Sequence, residues 1–414
     1  MTRARALLVY LGSFFSARGL LFASPLLLAS CLPAADYAQL EWALATATLA
    51  SAVLTFGTGG LVPIVIVGTA SAGLTRRAIQ VHHLAVVLFG LVLLPLGLWR
   101  PGWALVLVLM AALSLVSLTS TELKSQGLAN RSLFLDALLL SAMAGLTWLA
   151  TQWPTGPVPG LGWVPAVILV GITVRLVKDI RFSDGAVLRA EWRLALRAGF
   201  PLMVTGALAT LVTTSGRAGA GMLLAPDEAA AYAVLSRGAA LPIVAHQVLT
   251  VAVFRQLYTA EDAPLNRLLV SIVGGVSASA LALWLLVPWV GWALGPAFDK
   301  ASQAHGRPLL LLLAQSTLWS AIALNDLMNV RHERSAPVLR WTLPAILLIL
   351  PAAYGLFHVS DHSLLAFAWL HSGAMLLYFL VQTAAMWAHS VRLSAMPLAA
   401  VAAFTLLIAL GLQA

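Results

Sequence analysis

Four ionisable residues stand inside stretches that are otherwise apolar: Arg18 in FFSARGLLFASPLLLASC, Arg217 in TTSGRAGAG, Arg237 in AVLSRGAALP and Glu41 in QLEWALATATLA. A guanidinium presents a planar fork of donors that grips a carboxylate or a phosphate through two oxygens. Three such forks against one carboxylate leave an excess of positive charge, which suits an anionic ligand. A charge near the centre of a membrane helix costs at least about 2.5–3.5 kcal/mol, so each of these groups needs a polar cavity or a partner. For Arg18 two readings stand: contact with a substrate, or pairing with Glu41 or a backbone carbonyl that only locks helix packing. Glu41 is likewise either a coupling site or a salt-bridge partner.

The stretches around them are membrane stretches. Of the 414 residues, 61% are hydrophobic and 9% charged, whereas a soluble chain carries about a quarter charged residues. Apolar runs of spanning length recur from end to end, and their unbroken apolarity excludes a barrel, whose strands alternate. The expected fold is therefore an all-α polytopic membrane protein. Spans are expected near 5–32, 38–70, 78–98, 102–126, 132–151, 158–178, 195–224, 228–257, 266–294, 307–330, 336–357, 361–388 and 394–413.

Basic residues test this count. With the N-terminus in the cytoplasm, 18 of the 24 Lys and Arg fall in cytoplasmic segments, and only Arg100, Lys300 and Arg307 fall outside. The bias runs through every turn, as the positive-inside rule requires. It also accounts for the net charge of +9 without nucleic-acid binding. Tryptophans 99, 103, 148, 153, 163, 289 and 292 flank the outside turns, where an amphipathic ring sits at headgroup level. A single cysteine, Cys31, forbids an internal disulfide. Leu28-Ala29-Ser30-Cys31 has the form of a lipoprotein cleavage box, but a signal's apolar core of about 7–15 residues carries no charge and Arg18 interrupts this one. A permanent first helix is expected instead.

The longest and most basic connection runs from about 179 to 194. It separates an N-lobe of six helices (1–180) from a C-lobe of six (195–390), with 181–194 as the linker and 391–414 as an extra helix. Six helices per half give both halves the same orientation, a parallel pseudo-repeat. Leu32-Pro33-Ala34-Ala35-Asp36-Tyr37 and Leu224-Ala225-Pro226-Asp227-Glu228, each followed by a long apolar helix, occupy corresponding places. Pro25, Pro63, Pro201 and Pro242 lie inside the expected long helices, where a missing N–H and a ring clash make hinges.

At these residues the chain resembles the polysaccharide and O-antigen repeat-unit flippases of the multidrug/oligosaccharidyl-lipid/polysaccharide exporter superfamily. Pro33, Asp36, Tyr37 and Ala38 stand for the family's first turn, and Phe56-Gly57-Thr58-Gly59-Gly60 for its glycine-rich patch. Phe200-Pro201-Leu202, Ser215-Gly216-Arg217 and Ala225-Pro226-Asp227-Glu228 with Tyr232 carry the likeness in the second half. Gly216 replaces a frequent acid, Ala38 a glycine, and Phe254-Arg255-Gln256-Leu257 a late proline. The resemblance implies a transporter rather than an enzyme, in the cell inner membrane, moving a polyprenyl-diphosphate-linked glycan outward by alternating access. Arg18, Arg217 and Arg237 would then line a cationic central cavity, with polysaccharide assembly proteins as partners.

No Gly-x-x-x-x-Gly-Lys phosphate cradle appears, which leaves an H+ or Na+ gradient or substrate mass action as the drive and implies no cofactor. His358, Asp361 and His362 share an outside turn, read as a solvated loop rather than a metal site. His246 and His371 lie within spans as candidate proton relays or packing residues. The alternatives are a drug or metabolite exporter of the same superfamily, or a membrane glycosyltransferase or polymerase. The short outside turns, poor in carboxylates, disfavour the last.

Overall fold

The computed structural model describes residues 3–67, 73–98, 101–152, 161–180, 185–253, 256–257, 260–389, 391 and 395–413. Every element among them is a helix. Nine are long and apolar enough to cross a membrane, and a bent pair makes a tenth. The chain is an all-α, multi-pass membrane protein. It forms two compact units, Met1–Ala218 and Gly219–Ala414.

The first unit opens with α1 (Arg3–Cys31), which is long and apolar enough to cross a membrane. A turn through Pro33 starts α2 (Ala34–Leu54), with Asp36 in its first turn where an acid favours the helix dipole. The second span, expected as one helix over 38–70, is broken. Phe56 and Gly57 both take positive φ, 52° and 66°, which ends α2. A short 3-10 turn over Thr58–Leu61 then leads into α3 (Val62–Val67) at 57° to α2. Pro63 accordingly occupies the second position of α3, where its fixed φ suits a helix start and no N–H is lost. It does not stand inside one long helix.

The unit continues through α4 (Arg76–Leu93), α5 (Pro101–Ser125), α6 (Ala129–Gln152), α7 (Trp163–Asp179) and the 39-residue α8 (Gly185–Leu223). The Thr75 side chain caps α4 by accepting from the Ala78 N–H. Within this unit α5 is the hub, packed by α2, α4, α6 and α7. Leu61, Val62, Ile79, Leu115, Leu118, Leu169 and Leu176 meet in its core. Helix α1 lies along α6 in parallel: Ala17 packs on Leu133 and Ala137, and Ser24 Oγ donates to Ser141 Oγ at 3.2 Å. Pro25 and Pro201 do stand inside helices, α1 and α8.

In the second unit the eighth span is also broken, into α9 (Pro226–Gly238) and α10 (Leu241–Ala252). A Cβ at Gly238 would overlap the Phe298 ring, so only glycine fits the end of α9. Pro242, like Pro63, stands second in the following helix rather than inside a long one. Then come α11 (Asp262–Val290), α12 (Pro296–Ala304), α13 (Gly306–Arg331), α14 (Ser335–Phe357), α15 (Leu364–Ala388) and α16 (Ala395–Gln413). Here α13 is the hub, contacted by α9, α10, α11, α15 and α16. It is the fourth span of its half, as α5 is of the first half.

Among the described residues each of the thirteen expected spans falls on helix, the second and eighth as broken pairs. Helix α7, with 17 residues, is about 26 Å long, and α16, with 19, about 28 Å.

Candidate functional site

Glu41 sits one turn after Tyr37 on α2, so the two side chains share a face. The Tyr37 hydroxyl donates to Glu41 Oε1 at 3.1 Å, and Arg217 Nη1 on α8 donates to Oε2 at 2.8 Å. The Glu41 side chain is 2% exposed and that of Arg217 16%. Two independent depths agree. Glu41 lies seven residues from Ala34, about 10 Å, and Arg217 six from Leu223, about 9 Å. The string Ser215-Gly216-Arg217-Ala218 keeps this stretch of α8 free of bulk, which lets helices approach. Two charges withdrawn from water here attract each other, at a desolvation cost that the attraction only partly offsets.

Arg18 does not join this pair, and the Glu41 carboxylate is taken by Arg217. The Arg18 guanidinium carbon lies 5.6 Å from the centroid of the Phe14 ring, one turn back on α1, a cation–π contact. Its Nε is buried and has no hydrogen-bond partner. With Ala17 on Leu133 and Ala137, Arg18 is level with Asp136. It stands fifteen residues, about 22 Å, from Arg3 at one end of α1 and thirteen, about 20 Å, from Cys31 at the other. The arginine therefore lies near the middle of α1, apart from the Glu41–Arg217 pair near the N-terminal end of α2.

Arg237 is half-buried in the last turn of α9, next to the break, and belongs to the second unit. His246 lies edge-on to Trp319 at 5.7 Å, and His371 stacks on Phe367 at 6.0 Å. Both pack against aromatic rings. The His358 and His362 rings are 6.3 Å apart in their turn.

An extended polar network among the described residues of the first unit involves His82, His83 and Glu122. His82 and His83, adjacent on α4, hold the break of the second span. Trp192 Nε1–H on α8 donates to His82 Nδ1 at 3.1 Å, so His82 Nε2 carries the proton and donates to the Leu54 carbonyl at 3.0 Å. That carbonyl ends α2 and is one of those a terminated helix leaves without a partner. His83 reaches Ser114 Oγ at 2.9 Å and Thr58 Oγ1 at 3.3 Å. Next to them Glu122 is clasped by Arg76 Nε and Nη2, at 2.8 and 2.9 Å, and by Gln80 at 3.0 Å. Gly57 and Gly199 complete the arrangement. A Cβ on Gly57 would overlap the Gly199 carbonyl, and one on Gly199 would overlap the Phe56 carbonyl. The doublet His82-His83 in an apolar run was the available signal.

A cavity of about 490 Å³ opens beside Asp36 and Gln39 at the start of α2, lined also by Leu105 and Val108 of α5. The Trp42 and Trp103 rings, edge to face at 5.3 Å, belong to the same two helices.

No protein-family model matches the chain, and no curated protein sequence does. Among solved structures the chain is similar to the crystal structure of the eukaryotic MATE transporter AtDTX14, with 13% sequence identity and a TM-score of 0.49 over 96% of this chain and 98% of that one.

Proposed function

We propose that the chain is a transporter of the cell inner membrane that moves a polyprenyl-diphosphate-linked oligosaccharide from the cytoplasmic to the outer leaflet by alternating access. The observation that carries this reading is Arg18: a half-buried guanidinium inside a membrane span, with an orphaned Nε and no acid partner among the described residues. A buried donor without an acceptor calls for one from outside the protein, and a diphosphate supplies several. The position of Arg18 near the middle of α1 suits a substrate in passage between the two leaflets. Arg217, held by Glu41 at rest, exchanges its carboxylate for phosphate as the substrate advances. Release of Glu41 then lets that carboxylate take up H+ or Na+, which couples movement to a gradient. In the second unit, Arg237 is a separate candidate substrate contact.

The test is accumulation of lipid-linked repeat units on the cytoplasmic face in cells carrying Arg18→Ala. Build-up at normal protein level is expected, and normal export would sink the reading. In liposomes, the purified protein should move a polyprenyl-diphosphate sugar under an imposed H+ or Na+ gradient.

A second reading, export of a drug or small metabolite, gains from the Glu41–Arg217 pair. The pair is neutral as a unit, so the excess of positive charge is smaller than the three arginines alone give. Transport of neutral or zwitterionic compounds without any effect of Arg18→Ala would favour it.

A further inference from the structure

Helix α8 is far longer than a bilayer requires. Its 39 residues span about 58 Å, against a hydrocarbon core of about 30 Å. Measured back from Leu223, the core is filled by the stretch that begins a few residues after Phe200. The segment before Phe200 therefore stands at and beyond the cytoplasmic surface. Its rotation is fixed by two adjacent side chains, about 100° apart round the helix. Glu191 takes Arg77 Nη2 at 2.8 Å and the Thr75 hydroxyl at 2.9 Å, and Trp192 donates to His82.

The side of the helix turned away from Glu191 carries Arg189, Arg193 and Arg197, four residues apart. At about 100° per residue they lie about 160°, 200° and 240° round the helix from Glu191. All three are exposed, and none has a hydrogen-bond or ion-pair partner among the described residues. Phe200, 50% exposed, continues the same stripe into the apolar part of the helix. Glu191 is the one acid of α8, and it is turned away onto Arg77.

We infer that this stripe is a binding surface for anionic phospholipid headgroups of the cytoplasmic leaflet. Charge complementarity favours it, since three exposed guanidinia with no acid on their face meet a surface of negative potential. The row extends over about 12 Å, longer than one diphosphate, which points to several headgroups rather than to one substrate molecule. The aromatic at its membrane end sets the depth, with Phe200 at the acyl boundary and Arg197 in the headgroup layer. Arg193 and Arg189 stand progressively further out, about 6 and 12 Å beyond Arg197 if α8 runs along the membrane normal. Attraction falls off within a Debye length of about 8–10 Å, so the three contribute in the order Arg197, Arg193, Arg189.

The experiment counts phosphatidylglycerol and phosphatidylcholine retained by the purified full-length protein from equimolar mixed micelles, by native mass spectrometry. Wild type should prefer phosphatidylglycerol, and the preference should fall as salt rises from about 0.05 to about 0.5 M. The Arg189→Gln/Arg193→Gln/Arg197→Gln variant should lose the preference by on the order of tenfold or more, at up to about fivefold per arginine. The corresponding triple Lys variant should keep it within about twofold, because the leaflet reads charge rather than a bidentate fork. Arg197→Gln alone should cost more than Arg189→Gln alone. A preference unchanged in the triple Gln variant, or insensitive to salt in wild type, overturns the inference. So does displacement of the retained phosphatidylglycerol by one equivalent of polyprenyl diphosphate, which would assign the stripe to a substrate instead.

Discussion

Arg217 of α8 and Glu41 of α2, 176 residues apart in the chain, meet at 2.8 Å beneath the same end of the bilayer. Removing one partner strands a charge in a dry place, which costs about 3–5 kcal/mol for buried pairs. Glu41→Gln and Arg217→Gln should each destabilise the purified protein in thermal unfolding, at the lower end of that range because Arg217 keeps some exposure. The double variant should recover most of the loss, since two amides can hydrogen-bond where two charges did. Transport then separates the roles. A stable double variant that no longer moves substrate marks the pair as part of the transport machinery, through substrate contact at Arg217 or coupling at Glu41. One that transports normally marks the pair as a packing lock.

The break between α2 and α3 should depend on two glycines for different reasons. Gly57 needs a positive φ and, like Gly199, leaves no room for a methyl group against the facing backbone. Forcing atoms into such a contact costs about 1–3 kcal/mol, with the strain of a left-handed φ added at position 57. Gly57→Ala and Gly199→Ala should lower the unfolding temperature or the yield of folded protein. Gly59→Ala is the control, because a Cβ there meets nothing within 4 Å. Equal behaviour of all three variants would show that the contact is not what holds the break.

This break also shows where the sequence stops being readable. Thirteen apolar runs and the basic bias of their loops locate the helices, since hydropathy and charge placement act locally. The break does not follow from composition. Phe56-Gly57 could have continued as a gentle bend, and what stops it is Gly199 on α8, brought there by tertiary packing. The proline at 63 marks the place but was misread as lying within one long rod, when it is pre-organised for a helix start. The same limit applies to the site. Arg217 and Glu41 were each visible as intramembrane charges. Which arginine meets the glutamate depends on helix neighbours that no local pattern encodes. Glu122 sits near the end of α5, where polar residues are ordinary, and the His82-His83 doublet does not reveal that its partners are Leu54 and Trp192 on other helices.

His82 gives a third prediction. Its Nε2–H satisfies the Leu54 carbonyl while Nδ1 accepts from Trp192, so one ring ties α2, α4 and α8 together. His82→Phe keeps an aromatic ring but leaves both partners unmet, at about 1–3 kcal/mol for an unsatisfied buried group. Trp192→Phe leaves the Leu54 carbonyl bonded and should cost less. Hydrogen exchange over residues 54–61 should quicken markedly in His82→Phe and only slightly in Trp192→Phe. Matching rates in the two variants would mean that the histidine is a packing ring and not a cap.

Arg18 is the residue for which stability and function should move in opposite directions. Its Nε is buried without an acceptor, and its visible compensation is the face of Phe14. A cation–π contact of this kind is worth about 0.5–2 kcal/mol, against a cost of at least about 2.5–3.5 kcal/mol for a charge deep in the span, less toward the surface. Arg18→Met keeps the length and apolar stem of the side chain and removes the charge. The unfolding temperature of Arg18→Met should therefore equal or exceed that of wild type, while lipid-linked substrate accumulates on the cytoplasmic face. Arg18→Lys keeps a charge without the planar fork and should show partial transport, with weaker apparent affinity for substrate. If Arg18→Met is instead less stable than wild type by about 2 kcal/mol or more and transports normally, the guanidinium is a structural element of the α1–α6 packing.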